Sequence, residues 1–170
     1  MKAKHSKKTD KSHRGNASQF YVAAELCRRG HAALVTVGNT PNTDILCSNR
    51  SGTKFVHVQV KTFRPGRDKT CTVGAKSEKD YGENFFWVLA GVPEPDESTP
   101  FKYFIVPSKV LAENVKQRHD VWLKTPGKNN RKHKDSSIRS VAVRDGASSC
   151  FWSVLEYEGR WDLMERMLAD

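Results

Sequence analysis

Residues 56–62 read VHVQVKT, and the reading of the whole chain turns on these seven letters. Val56, Val58 and Val60 alternate with His57, Gln59 and Lys61. Alternation at period two is the mark of a half-buried strand, with the valines on one face and the polar three together on the other. A strand of purely structural use can carry the same letters, with Lys61 as an edge charge that discourages aggregation. The meaning of the polar face therefore depends on what else the chain brings to it.

Working outward, NRSG (49–52) is a tight turn and TDILCS (43–48) a short strand before it, so residues 43–62 read as a β-hairpin. AALVTVG (32–38) is an earlier strand, broken by the turn-rich GNTPN (38–42). NASQFYVAAELCRRGH (16–31) reads as a helix, with Ala17, Phe20, Ala24 and Cys27 at helical spacing. Asn16 is placed as its N-cap, Arg28 and Arg29 lie in its last turn, and Gly30 ends it.

Downstream, FFWVLAGV (85–92) is continuously apolar, which suits a central strand covered on both faces. FKYFIVP (101–107) should pair with it as a hairpin. SKVLAENVKQRHD (108–120) has a serine N-cap and helical apolar spacing, and TPGKNNRKHKDSS (125–137) is a basic loop. RWDLMERMLAD (160–170) reads as an amphipathic helix with Trp161, Met164 and Leu168 on one side. Helix, strands, then helices make an α/β or α+β domain. Trp87, Trp122, Trp152 and Trp161 are core candidates, with Trp122 beside the basic run.

A chain of 170 residues suits one domain with a substantial core. Residues 1–14 are expected to form a disordered basic tail too polar to pack, and 15–170 a single domain. No run approaches the ~20 apolar residues of a membrane helix. The basic N-terminus has no apolar segment behind it, which argues against a secretory signal. Cys27, Cys47, Cys71 and Cys150 form no CxxC pair, and with His119 and His133 they lack zinc-ligand spacing. Free thiols suit a cytoplasmic location.

The net charge is +10 and the pI about 9.6. Residues 1–14 carry six Lys/Arg against one Asp, 61–79 six against two acids, and 116–144 nine against two. Basic blocks of this density point to a polyanion such as nucleic acid, beside the plainer reading of a surface charged for solubility.

The hairpin gives the polar face its chemistry. In an antiparallel pair the start of the first strand lies by the end of the second, so Asp44 belongs near Gln59 and Lys61. A first helix packed on the sheet would bring Glu25 to the same edge. Phosphodiester hydrolysis needs an activated water and positive charge at the phosphate, and Mg²⁺ takes oxygen ligands that include one or two carboxylates. Glu25 and Asp44 can supply the carboxylates and the Val60 backbone carbonyl a further oxygen, with Mn²⁺ as a substitute ion. Lys61 would orient water or stabilise the phosphate, and Gln59 coordinate or position water. Taken singly, Glu25 reads as a helix-surface acid, Asp44 as a turn residue and His57 as a packed bystander.

The segments GNASQFYVAAELCRRG, NTDIL and VQVKT resemble the PD-(D/E)XK nuclease superfamily in its E…D…QxK variants, over roughly residues 15–107. Resolvase-like, restriction-like and homing-type endonucleases belong to that group. The resemblance implies an α/β fold, a central mixed β-sheet flanked by helices of the restriction-endonuclease-like kind. It places Glu25, Asp44, Gln59 and Lys61 at the motif positions of an Mg²⁺-dependent enzyme. Two departures stand out: Gln59 replaces the usual acid, and Thr43 precedes Asp44 in place of proline. Duplex or branched DNA would be the partner, with Arg64, Arg67 and Lys69 beside the scissile phosphate. Lys128, Arg131, Lys132 and Lys134 would follow the backbone. Attack on two strands favours a homodimer. The rival expectation is a non-catalytic basic nucleic-acid-binding protein of nuclease-like fold, and a third is an accessory protein binding RNA.

Overall fold

A computed structural model describes residues 11–37 and 40–169, apart from the side chains of Lys11 and Lys128. The chain runs through α1 (Lys11–Arg28), β1 (Ala32–Val35), β2 (Ile45–Ser48), β3 (Phe55–Phe63) and β4 (Thr70–Thr72). It continues with β5 (Phe85–Gly91), β6 (Lys102–Pro107), α2 (Ser108–Lys124), β7 (Ser140–Ala142) and α3 (Asp162–Leu168). Five strands form a mixed sheet in the order β1-β2-β3-β5-β6, and β4 pairs with β7 in a separate two-stranded sheet. The β1–β2, β2–β3 and β5–β6 pairs are antiparallel, while β3 and β5 run parallel with Gln59 opposite Trp87 and Lys61 opposite Leu89. This is the expected α/β architecture of a central mixed sheet flanked by helices.

The sheet is covered on both faces, and the sequence pattern shows why. Val56, Val58 and Val60 pack with Val22, Leu26, Met164 and Leu168 of α1 and α3. On the opposite face Trp87, Leu89 and Phe104 pack with Leu111 and Val115 of α2 and with Cys71 and Val141 of the small sheet. β5 lies between both layers, and all seven of its residues are buried, which is what a continuously apolar strand requires. Trp161, Met164 and Leu168 are buried as expected.

Three expectations about the first helix are corrected. The first helix begins at Lys11, so residues 11–14 are helical rather than tail. Residues 1–10 lie outside the described residues. Asn16 is accordingly an exposed position inside the helix and caps nothing. The helix also buries a different face from the one expected: Ser18, Val22, Ala23 and Leu26 are buried, while Phe20 is 64% exposed and Cys27 lies in the open. An i, i+4, i+8 line through 18, 22 and 26 meets the sheet.

The C-terminal stop does hold. His31 N–H donates to the Leu26 carbonyl at 3.2 Å and Gly30 N–H to that of Cys27 at 2.9 Å, with Gly30 at φ +90°. These are the two bonds of a Schellman cap, and the left-handed residue between them favours glycine. Ser108 opens α2 but does not cap it; its hydroxyl accepts the Tyr81 N–H at 2.8 Å, joining the helix to the loop before β5. No helix among the described residues is long and apolar enough to cross a membrane.

Candidate active site

Three of the four residues singled out by the sequence converge where β2 begins beside β3. Ile45 opposes Val58 in the β2–β3 register, so Asp44 stands one step outside β2, across from Gln59. Its backbone is held from both sides: Asp44 N–H donates to the Val58 carbonyl and its own carbonyl accepts the Thr36 N–H, each at 2.9 Å. The Thr36 hydroxyl adds a 2.6 Å bond to the Thr43 carbonyl. Asp44 is thereby fixed by the β1 side and the β3 side of the sheet at once.

The carboxylate is positioned as firmly as the backbone. Asp44 Oδ2 accepts the Val60 N–H at 2.7 Å and a bond from the Gln59 side-chain amide. No hydrogen bond reaches Oδ1 among the described residues. Burial pushes the Asp44 carboxyl above the usual aspartate range, opposed by the Val60 N–H, the Lys61 charge and the Gln59 amide. A glutamate at position 59 would set two carboxylates against each other across the hairpin. Glutamine turns that repulsion into a hydrogen bond and leaves the site with one acid.

Lys61 leaves β3 on the same face as Gln59, two residues along. Its ammonium lies 5.8 Å from the ring centroid of Trp87, the β5 residue in register with Gln59. A cation over an indole face is held electrostatically by the ring quadrupole. The Trp87 indole N–H is the one buried side-chain polar atom without a partner among the described residues. On the other face Thr62 meets Ser18 of α1, hydroxyl to hydroxyl at 2.6 Å, which pins the helix to β3 beside Lys61. Trp87, Thr36 and Ser18 are not visible as site residues in the sequence, because strand order and helix phase had to be known first. His57 takes the bystander place expected of it, bonded to the Thr43 hydroxyl at 3.2 Å and stacked on Phe85.

Glu25 does not join this group, which corrects the expected pair of carboxylates. Its carboxylate accepts two bonds from Arg28, both at 2.8 Å, and one from Arg29 at 2.9 Å. Arg29 in turn reaches Glu165 of α3 at 3.1 Å and lies over the Trp161 ring. The Arg28 hydrogen bonds hold the Glu25 carboxyl below the ordinary glutamate range. Its business is to fasten the C-terminal turn of α1. Among the described residues no three His, Cys, Asp or Glu side chains gather as a metal-holding group.

A hard divalent cation still fits the smaller donor set. Mg²⁺ needs few protein ligands when phosphate and water fill the rest. Asp44 Oδ1 offers a charged oxygen, and the Gln59 amide oxygen an uncharged one. The Val60 carbonyl points to the same side as its N–H, past the end of β2.

The expected phosphate contacts divide into two groups. Arg64 is paired with Asp68 at 2.7 Å, Arg67 with Glu97 at 2.5 Å, and Lys69 donates to the Gly146 carbonyl at 2.9 Å. Arg131, Lys132 and Lys134 are exposed and have no partner among the described residues. Lys128 opens a short 3-10 turn, Lys128–Asn130, and its side chain lies outside the described residues.

No protein-family profile matches the chain, and no curated protein sequence matches it. Among solved structures, the bacterial homing endonuclease I-Ssp6803I is similar over 94% of both chains, at 14% identity and a TM-score of 0.55. Hjc, a Holliday junction resolvase from Archaeoglobus fulgidus, aligns over 75% of this chain and 83% of its own, at 15% identity and a TM-score of 0.42. The chain thus shares its fold with the homing endonuclease I-Ssp6803I.

Proposed function

We propose that this chain is a metal-dependent DNA endonuclease that hydrolyses phosphodiester bonds, with Asp44, Gln59 and Lys61 as its catalytic group. The observation that carries the reading is the Asp44–Gln59 contact just before β2, with Lys61 on the same strand face. Asp44 and the Val60 carbonyl would hold the ion, Mg²⁺ or in its place Mn²⁺, with the Gln59 amide oxygen as a further ligand. The bound ion would supply positive charge at the phosphate and lower the pKa of an attacking water. Gln59 donates to Asp44 Oδ2 and so presents Oδ1 outward. Lys61, steadied over Trp87, sets its ammonium against the charge that develops on the phosphoryl oxygens.

Arg131, Lys132 and Lys134 are the proposed backbone contacts. Arg64 and Arg67 would have to exchange Asp68 and Glu97 for phosphate. Cleavage of both strands of a duplex favours two copies acting together, and a cytoplasmic setting suits the free thiols. The structural likeness to a homing endonuclease supports the reading through the fold alone.

A second reading, a DNA-binding protein without turnover, draws on the single carboxylate of the site. Metal dependence separates the two. Labelled plasmid, linear duplex, single strand and four-way junction are incubated with Mg²⁺, Mn²⁺ or EDTA, using wild type and Lys61→Ala. Metal-dependent cutting that falls about 10²–10³-fold in the variant, with DNA affinity largely kept, is the expected result. Undiminished cutting by Lys61→Ala would remove Lys61 from the site, and metal-independent binding without cutting favours the second reading.

A further inference from the structure

A cavity of about 330 Å³ opens between the second half of α2 and residues 136–151, well away from the Asp44 carboxylate in the chain. Its volume is at the small end for ligand pockets, enough for one planar heterocycle but not for an extended ligand. Trp122, Ile138, Phe151 and Val115 make an apolar and aromatic lining, and Arg118 and His119 stand among them. Ile138 is 65% exposed, an apolar side chain left facing solvent at this place. Trp122 already lies flat against two heterocycles: the His133 ring at 4.0 Å and 22°, and the His119 ring at 5.4 Å and 25°.

The wall of the cavity is rigid and its surroundings are cationic. Arg139 is buried, bonded to Glu78, to the Ser136 carbonyl at 2.5 Å and to that of Ile138 at 3.0 Å. These bonds fix the segment that carries Ile138. The neighbouring loop presents Arg131, Lys132 and Lys134 without partners among the described residues. The stretch 116–144 as a whole sets nine Lys/Arg against two Asp. Val115 belongs to the apolar cluster that also contains Trp87, over whose ring Lys61 sits, so cavity and Lys61 lie on one face of the sheet.

An aromatic cavity with Arg118 in its wall, held to the Ser149 carbonyl at 3.5 Å, and exposed cations on the neighbouring loop suits an occupant that is flat, apolar on its faces and tied to phosphates. We propose that the cavity takes one unpaired nucleobase of the bound DNA, with the flanking phosphates on Arg118, Arg131, Lys132 and Lys134. A base inside a duplex is out of reach, whereas an extrahelical or single-stranded base offers its π-face to aromatic walls. The inference rests on the reading of the chain as a DNA-acting protein and adds its substrate class: DNA that carries unpaired nucleotides is preferred over perfect duplex.

The test reads binding in EDTA, so that turnover plays no part. A duplex with 2-aminopurine in a single-nucleotide bulge is compared with the same duplex fully paired, for wild type, Ile138→Glu, Trp122→Ala and Trp122→Phe. Wild type should bind the bulged duplex about ten-fold more tightly, with a change in 2-aminopurine emission, in line with aromatic stacking of one base. Ile138→Glu changes an exposed residue and leaves the fold intact while placing a carboxylate at the mouth. It and Trp122→Ala should each abolish the preference and leave paired-duplex affinity within about two-fold, and Trp122→Phe should keep most of the preference.

Equal affinity of wild type for the two duplexes overturns the proposal, as does a loss in Ile138→Glu that is the same on both. A protein that shows the preference yet cuts nothing keeps the cavity assignment and loses the nuclease reading. One that cuts paired duplex without the preference does the reverse.

Discussion

Asp44 is a residue whose local environment works against the stability of the protein. Burial raises its carboxyl pKa above the ordinary 3.8, so the folded state holds the Asp44 proton more tightly than the unfolded chain does. The sign follows from linkage: ionised Asp44 costs stability at neutral pH, and that cost disappears as pH falls through the folded pKa toward 3.8. Asp44→Asn should therefore abolish cleavage while its thermal midpoint at pH 7 equals or exceeds that of wild type. The two midpoints should converge as pH falls through the acid range, which thermal melts from pH 7 to pH 3.5 would check. A midpoint well below wild type at pH 7 would mean that the charge itself supports the fold. At this scale much was legible in the sequence. Period-two alternation put Gln59 and Lys61 on one face, and antiparallel pairing put Asp44 beside them. The ion pairs of Glu25 were not legible, because a residue's place on a helix says nothing of its partners. Two arginines, three and four positions on, claimed it.

At the scale of elements, α1 shows how a correct helix can be read with the wrong face. Ala17, Phe20, Ala24 and Cys27 form a regular apolar spacing, yet the face that meets the sheet runs through Ser18, Val22, Ala23 and Leu26. The two stripes lie on nearly opposite sides of the helix, and the 3.6-residue period alone does not choose between them when both carry apolar residues. The face that meets the sheet carries the larger Val22 and Leu26, and Ser18 adds a polar contact with Thr62 that no hydropathy pattern contains. The burial makes a direct prediction. Leu26→Ala removes a fully buried side chain from the α1–sheet contact and should cost about 2–5 kcal/mol. Phe20→Ala, although it deletes the larger group, should change stability by less than about 0.5 kcal/mol because its ring is mostly in water. Urea unfolding of both variants measures the two values, and a larger loss in Phe20→Ala would return the helix to the face read from its spacing.

At the scale of the molecule, the sheet order was the least legible feature. Two hairpins were visible in the sequence, but nothing in it set them parallel along β3 and β5. That pairing is what brings Trp87 beside Lys61 and puts the cavity on the same face as the candidate site. The distribution of charge was legible as composition but not as availability. Of the basic residues expected to meet phosphate, those after β3 are already engaged by Asp68, Glu97 and the Gly146 carbonyl. Those at 131–134 remain free for a polyanion among the described residues. The dependence of DNA affinity on salt distinguishes the two groups, since each phosphate neutralised adds about 0.9 to the slope of log K against log salt. Replacing Arg131, Lys132 and Lys134 together by alanine should therefore lower that slope by about 2–3. It should also weaken binding to all duplex sequences alike, because backbone contacts carry no sequence information. Fluorescence-anisotropy titrations between 50 mM and 200 mM salt, run in EDTA, give the slope directly. A slope unchanged in the triple variant would move the DNA track to the arginines after β3 and require Arg64 and Arg67 to leave their carboxylate partners when DNA binds.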